Sequence, residues 1–222
     1  MEKSPSGWSY RLSPRLLLRT RPRPRAEAGE QIILVESGEA FPPGHPSTRL
    51  CLDLLLEVLG GGSLASLLDV GCGAGVLSLA AAALGVDRVL GVDLASRAVR
   101  TTRENARRNG LTGAIRVVQG SSDCLKAPFD LVAANLPWEV QLDQVPELHR
   151  LAAGGRLILA GFRDNQEGPL LERYQRLGWS VKRRLVKYFQ HPELPPHLSF
   201  NWVAWLLTEG LNLNGKSINL KI

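Results

Sequence analysis

Short, nearly continuous apolar runs recur along this chain, and stretches with helical spacing separate them. Residues 64–70, 88–93, 114–119, 129–134 and 155–162 read as strands, and 88–93 has the pattern of a buried one. Residues 76–84 are apolar on every side, the mark of a buried helix. Residues 95–109 are amphipathic and end at Gly110, which suits the position just past a helix. Helices are also expected over 145–151 and over 165–177, the second followed by Gly178. Upstream, Ser47 is placed to cap a helix running to about Gly60, with Leu50, Leu54, Leu55, Val58 and Leu59 as its buried stripe. Residues 31–35 are a short apolar run, read as a strand. Strands separated by helices of this length imply a parallel sheet covered on both faces. The last two strands, 179–189 and 200–208, are joined only by a short loop bearing prolines between His191 and His197. A parallel crossover needs about a dozen residues or more, so this pair is expected to be antiparallel. The fold class is therefore α/β: a doubly wound, mostly parallel seven-stranded sheet with one antiparallel edge strand.

Between the first of these strands and its helix stands Asp69-Val70-Gly71-Cys72-Gly73-Ala74-Gly75. Glycine is needed where backbone turns with φ > 0 and lies close to a ligand. The spacing departs from the dinucleotide form G-x-G-x-x-G. It looks like the first motif of the class I S-adenosylmethionine-dependent methyltransferases, a Rossmann-like family. Asp93 ends the next strand roughly 20 residues on, where a doubly wound fold sets a carboxylate against a ribose. Capping the following helix is the alternative role. Asp69 ends the first strand, where a carboxylate suits an ammonium and repels a pyrophosphate. The resemblance extends the expected cofactor contacts to Gly71, Cys72, Gly73 and Gly75, and to Leu94 beside Asp93. Residues 120–123 follow the third strand, where this fold contacts an adenine. Ser122 or Asp123 can bond its amino group, and a simple turn is the other reading. Thr48 is expected at a helix N-terminus, where its hydroxyl and free N–H groups can meet the cofactor carboxylate.

The fourth strand ends in Ala134-Asn135-Leu136-Pro137-Trp138. In open α/β sheets the carboxyl ends of central strands carry the reacting groups. The Asn135 carbonyl and nearby backbone carbonyls can accept hydrogen bonds from an amine and aim its lone pair. Trp138 can stack on a planar group or lie over a cation. Asn135, Pro137 and Trp138 are the candidate catalytic residues, and Asn135 is counted among the cofactor contacts as well. The plainer alternative has Asn135 capping a turn and Trp138 plugging the core. His45 either touches a ligand or braces its loop; His149, His191 and His197 read as surface residues.

Three segments sharpen the resemblance. Residues 40–52, Ala-Phe-Pro-Pro-Gly-His-Pro-Ser-Thr-Arg-Leu-Cys-Leu, resemble the A-F-G-T-G-x-H-P-T-T-x-L-C-L stretch of the ribosomal-protein lysine methyltransferases, the PrmA family. Residues 68–82 are similar to that family's glycine motif and following helix. Residues 103–110 are similar to its E-N-A-x-x-N-G. Pro42-Pro43-Gly44 replaces the family's glycine-threonine-glycine, and its N-terminal recognition domain has no counterpart before residue 30. The resemblance implies methyl transfer from S-adenosylmethionine to a nitrogen, with a protein lysine as acceptor. The Asn-Leu-Pro-Trp loop lies between that family's A-N-I and the N-P-P-Y of amine methyltransferases acting on adenine or glutamine. A nucleic-acid base methyltransferase is therefore the competing reading, and a non-catalytic cofactor-binding partner subunit the third.

Composition narrows this little further. At 222 residues and 44% apolar, the chain can fill one domain core over residues 30–209. Residues 1–29 form a basic arm with Arg11, Arg15, Arg19, Arg21, Arg23 and Arg25, either a contact for RNA, a ribosome or an acidic protein, or a solvated extension. Residues 210–222 read as a polar tail. The net charge of +6 permits an acidic partner. Cys51, Cys72 and Cys124 have neither metal spacing nor an even disulfide framework, which points to reduced thiols in the cytoplasm. No signal core or membrane-length apolar run is evident, and no metal ligand set.

Overall fold

Elements are numbered along the chain, and the computed structural model describes residues 7–22, 28–38, 40–189 and 200–210. Strands β1 (Ser9–Ser13) and β2 (Leu16–Arg19) form an antiparallel hairpin, and β3 (Gln31–Leu34) pairs with β2 in parallel. The pattern predicts a single strand between Tyr10 and Leu18, but Pro14 and Arg15 turn it back on itself. Arg11 Nη1 closes that turn on Pro14 O at 2.9 Å. Leu12, Leu16, Leu18, Ile33 and Val35 are buried in the same core as the main sheet. The described part of the basic arm is thus anchored, and strands from both sides of the expected boundary at residues 29 and 30 pair with each other. Arg23, Arg25, His191, His197 and residues 211–222 lie outside the described residues.

Helix α1 (Pro46–Gly60) follows, and its cap is His45 rather than Ser47: His45 Nδ1 accepts the Ser47 N–H at 3.2 Å. Pro46 takes the first helical position, where a missing N–H costs nothing. The chain then alternates β4 (Ser66–Val70), α2 (Val76–Ala83), β5 (Arg88–Asp93), α3 (Ser96–Arg108), β6 (Ile115–Gln119), β7 (Leu131–Asn135), α4 (Trp138–Leu151), β8 (Arg156–Arg163), α5 (Glu167–Arg176), β9 (Trp179–Phe189) and β10 (Phe200–Glu209). Seven strands form one sheet in the order β6-β5-β4-β7-β8-β10-β9. Strand β10 runs against both of its neighbours, so the reversed strand sits one place in from this edge and β9 closes it. Helices α1, α2 and α3 cover one face, and α4 and α5 the other. The spacing predicts a helix over 145–151, but α4 begins at Trp138 and carries Pro146 inside it. Proline suits a first turn, which is why the start reads too late.

Gly161 is the extra residue of a β-bulge in β8, since Phe162 faces Val203 while Ala160 faces Ala204. Its φ is +98°, and a Cβ there would stand 2.2 Å from Leu136 O. The bulge lets the backbone after β7 lie directly on β8. Gly161→Ala is expected to destabilise the fold by about 1–3 kcal/mol from backbone strain alone. An unchanged urea midpoint would contradict this.

Asp69 is buried at the end of β4 and accepts from Ser78 N at 3.1 Å and Ser78 Oγ at 2.7 Å. Ser78 N belongs to the first turn of α2, whose own cap residue, Gly75, has no side chain to offer. Asp69 therefore caps α2 from the neighbouring strand. Burial pushes its carboxyl up to about 6, against the pull of both Ser78 bonds. The unfolded value is about 3.9, so the folded state favours the protonated form. Its stability contribution is present below about pH 4 and is lost as pH rises through about 6. Relative to Asp69→Asn, the wild type should lose about 3 kcal/mol of unfolding free energy between those limits. Parallel stability–pH curves for the two proteins would rule this out.

Candidate active site

A cleft of about 740 Å³ opens at the carboxyl ends of β4, β5 and β7. Its floor is the glycine turn after β4. Gly71 N and Cys72 N donate to Val92 O at 2.8 and 3.2 Å, and Gly73 N donates to Asp93 Oδ2 at 3.0 Å. Asp93 Oδ1 accepts Ala95 N at 2.9 Å. Each carboxylate oxygen keeps capacity for a second donor, and Asp93 lines the cleft. Gly71 and Gly73 have φ of +69° and +57°. The one atom within 4 Å of a Cβ built on Gly73 is Gly71 O, at 3.9 Å, so the space above it is open to a ligand.

Helix α3 braces this turn from behind. Thr102 Oγ1 donates to Gly73 O at 2.9 Å, and Asn105 Nδ2 donates to Ala74 O at 2.9 Å and Glu36 O at 2.8 Å. Asn109 exchanges two bonds with the backbone of Leu34, each 2.8 Å. The Asn-Ala-x-x-Asn segment is thus a structural tie between the N-terminal sheet, α3 and the glycine turn.

Several expected contacts are placed elsewhere. Asp69 is turned away from the cleft toward α2, both donors of Ser78 occupying it. Cys72 Sγ packs under the turn, 3.6 Å from Thr102 Oγ1, and presents no donor to a ligand. Gly75 starts α2 below the cleft, where a Cβ would strike Thr102 Cγ2 at 2.6 Å. Thr48 is buried and accepts from Asn135 Nδ2 at 3.4 Å, which makes it a support for Asn135. Asp123 is exposed in the tight turn Ser122–Cys124, outside the cleft lining. Ser122 does line it, buried against Gln144, while Leu94 stands 73% exposed at its rim.

The opposite wall of the cleft gathers around Asn135. Its Oδ1 is buried without a hydrogen-bond partner among the described residues. Leu136 O accepts from Gln141 Nε2 at 3.2 Å and abuts Gly161, and Pro137 O accepts Gln141 N at 3.0 Å. Both loop carbonyls are therefore engaged inside the protein. Pro137 precedes α4 at the cleft wall, and Trp138 is held there by Nε1 donating to Gln166 O at 2.8 Å. Phe41 and Trp202 flank His45 at ring distances of 4.6 Å each. His45 both caps α1 and lines the cleft. Its Nδ1 accepts Ser47 N–H and so carries no proton, and burial lowers its pKa. Arg163 lies 3.8 Å over the Phe200 ring. Phe41, Trp202 and Arg163 escape the sequence reading because they arrive from distant segments. The alternation that puts Trp202 on the α1 face with Ala204 and Leu206 is the signal that marks it.

Residues 9–187 match the family model described as ribosomal protein L11 methyltransferase (PrmA). The ribosomal protein L11 methyltransferase of Azotobacter vinelandii is 39% identical over 153 residues, covering 67% of this chain and 51% of that protein. The chain spans about half the length of the curated relatives it matches. The crystal structure of ribosomal protein L11 methylase from Lactobacillus delbrueckii subsp. bulgaricus superposes with a TM-score of 0.72 at 24% identity, covering 91% of this chain and 98% of that one. Magnesium protoporphyrin IX methyltransferase from Synechocystis, solved with SAM bound, gives 0.55 at 19% identity, over 71% and 78%. These two likenesses concern the fold. On the extent of the family match, this chain belongs to the ribosomal protein L11 methyltransferase (PrmA) family.

Proposed function

We propose that this protein is an S-adenosylmethionine-dependent N-methyltransferase acting on a lysine of a protein substrate. The observation that carries this reading is that one cleft is lined by both Asp93 and Asn135, whose buried Oδ1 has no hydrogen-bond partner among the described residues. The residues fit the cofactor. Asp93 can accept from both ribose hydroxyls, the open backbone at Gly73 leaves room beside it, and Leu94 with Ser122 suits a flat purine. When bound, the cofactor supplies a methyl on a cationic sulfur. A lysine must lose a proton before it can attack, and the apolar walls of Phe41, Trp138 and Trp202 favour its neutral amine. Asn135 Oδ1 accepts one of its N–H groups and aims the lone pair. Holding the two partners in line can supply roughly 7–11 kcal/mol of the barrier in favourable cases.

Leu136 O and Pro137 O each already accept a bond from Gln141, whereas Asn135 Oδ1 accepts none among the described residues, which makes it the loop's freest acceptor for an amine. The names of the relatives support a ribosomal protein as the target class. A cytoplasmic setting accords with three free thiols. No helix among the described residues is long and apolar enough to cross a membrane.

Radiolabelled S-adenosylmethionine with a cell extract, divided between protease and nuclease, tests the substrate class. Label lost only to protease is expected; label lost only to nuclease would reassign the protein to bases. Asn135→Ala should cut turnover by about 10²–10³-fold while cofactor affinity changes only a few-fold. Asp93→Ala should instead weaken cofactor binding by about ten- to a hundredfold, the cost of losing hydrogen bonds to a charged group. No labelling by wild type that still binds the cofactor would favour a non-catalytic subunit.

A further inference from the structure

Helix α3 carries Arg97, Arg100, Arg103, Arg107 and Arg108 and a single acid, Glu104. At about 100° per residue the five arginines fall within an arc of about 140°. All five are exposed, and Ala98, Val99, Thr102, Asn105 and Ala106 fill the opposite, buried arc. The ridge starts at Arg97, on the cleft wall, and runs the length of the helix away from it.

Helix stability does not account for this arrangement. Arg107 and Arg108 suit the negative end of the helix dipole. Arg97 and Arg100 stand near the positive end, where the first turn holds no acid. Arg100 has Arg97 and Arg103 one turn away on either side and Arg107 beyond, so like charges repel along the ridge. Arg108 pairs with Glu36, and Arg103 Nη2 binds Val117 O at 2.7 Å. No hydrogen bond or ion pair neutralises Arg100 or Arg107 among the described residues, and Glu104 between them forms none.

We propose that this ridge binds the phosphate backbone of RNA alongside the cleft. A folded protein partner needs an apolar, desolvated centre to its interface, and the exposed face of α3 offers no large apolar side chain. A polyanionic strand needs only a row of cations, and the guanidinium fork matches phosphate oxygens two at a time. The inference is independent of methyl transfer.

The test is fluorescence anisotropy of a labelled short oligouridylate against the full chain across a salt series. Arg100→Gln with Arg107→Gln should raise Kd at least fivefold near physiological salt. It should also flatten the slope of log K against log salt by about 1.4, since each phosphate contact on a single strand contributes about 0.7. Arg100→Lys with Arg107→Lys should restore most of the slope. Thermal midpoint and cofactor affinity should stay at wild-type values in both variants. An unchanged Kd and slope in the glutamine variant would overturn the proposal. So would polyglutamate displacing the RNA at matched charge, which would make the ridge a face for acidic protein.

Discussion

The bond from Gly73 N to the Asp93 carboxylate is the contact on which the site depends. It joins the turn after β4 to the end of β5, beside the point where the strand order reverses between β4 and β7. Val92 O holds the previous two residues of the same turn, and Ala95 N locks the other carboxylate oxygen. The glycine turn is thereby rigid before any ligand arrives, and the open face above Gly73 is an arranged space. Asp69 and Ser78 hold the next helix in place beneath it, at the cost of burying a charge.

A second constraint shapes the wall of the cleft around Asn135. Gly161 allows the Leu136 carbonyl to lie against β8, and Gln141 fastens it there. With that carbonyl turned inward, Asn135, its Oδ1 buried, and Trp138 form part of the loop's share of the cleft lining. Thr48, from the first turn of α1, steadies the same amide. The resembling His-Pro-Ser-Thr segment therefore acts by positioning Asn135 and closing the cleft with His45. The described structure gives it no other role at the site.

Much of this is legible in the residue pattern, and each failure has a physical cause. Asp93 and Asn135 are recognisable because each ends a buried strand, and strand ends in this sheet type point at the cleft. Asp69 ends a strand too, but side chains alternate across a sheet. Leu67 and Asp69 face the α2 side, while Leu68 and Val70 face the other. Reading that parity would have directed Asp69 to Ser78. Cys72 and Thr48 are side chains behind the backbone they belong to, which motif position alone does not reveal. Residues 9–19 read as basic and extended because six arginines dominate the arm, although Leu12, Leu16 and Leu18 anchor it in the core. The late start read for α4 has a local origin, in the preference of Pro146 for a first turn.

The most direct test is a crystal structure with S-adenosylhomocysteine, the demethylated form of the cofactor. The account requires both ribose hydroxyls within hydrogen-bond distance of the Asp93 carboxylate, the purine against Leu94, and the sulfur facing Asn135. A ligand whose ribose is held by another group, or whose sulfur points away from Asn135, would contradict it.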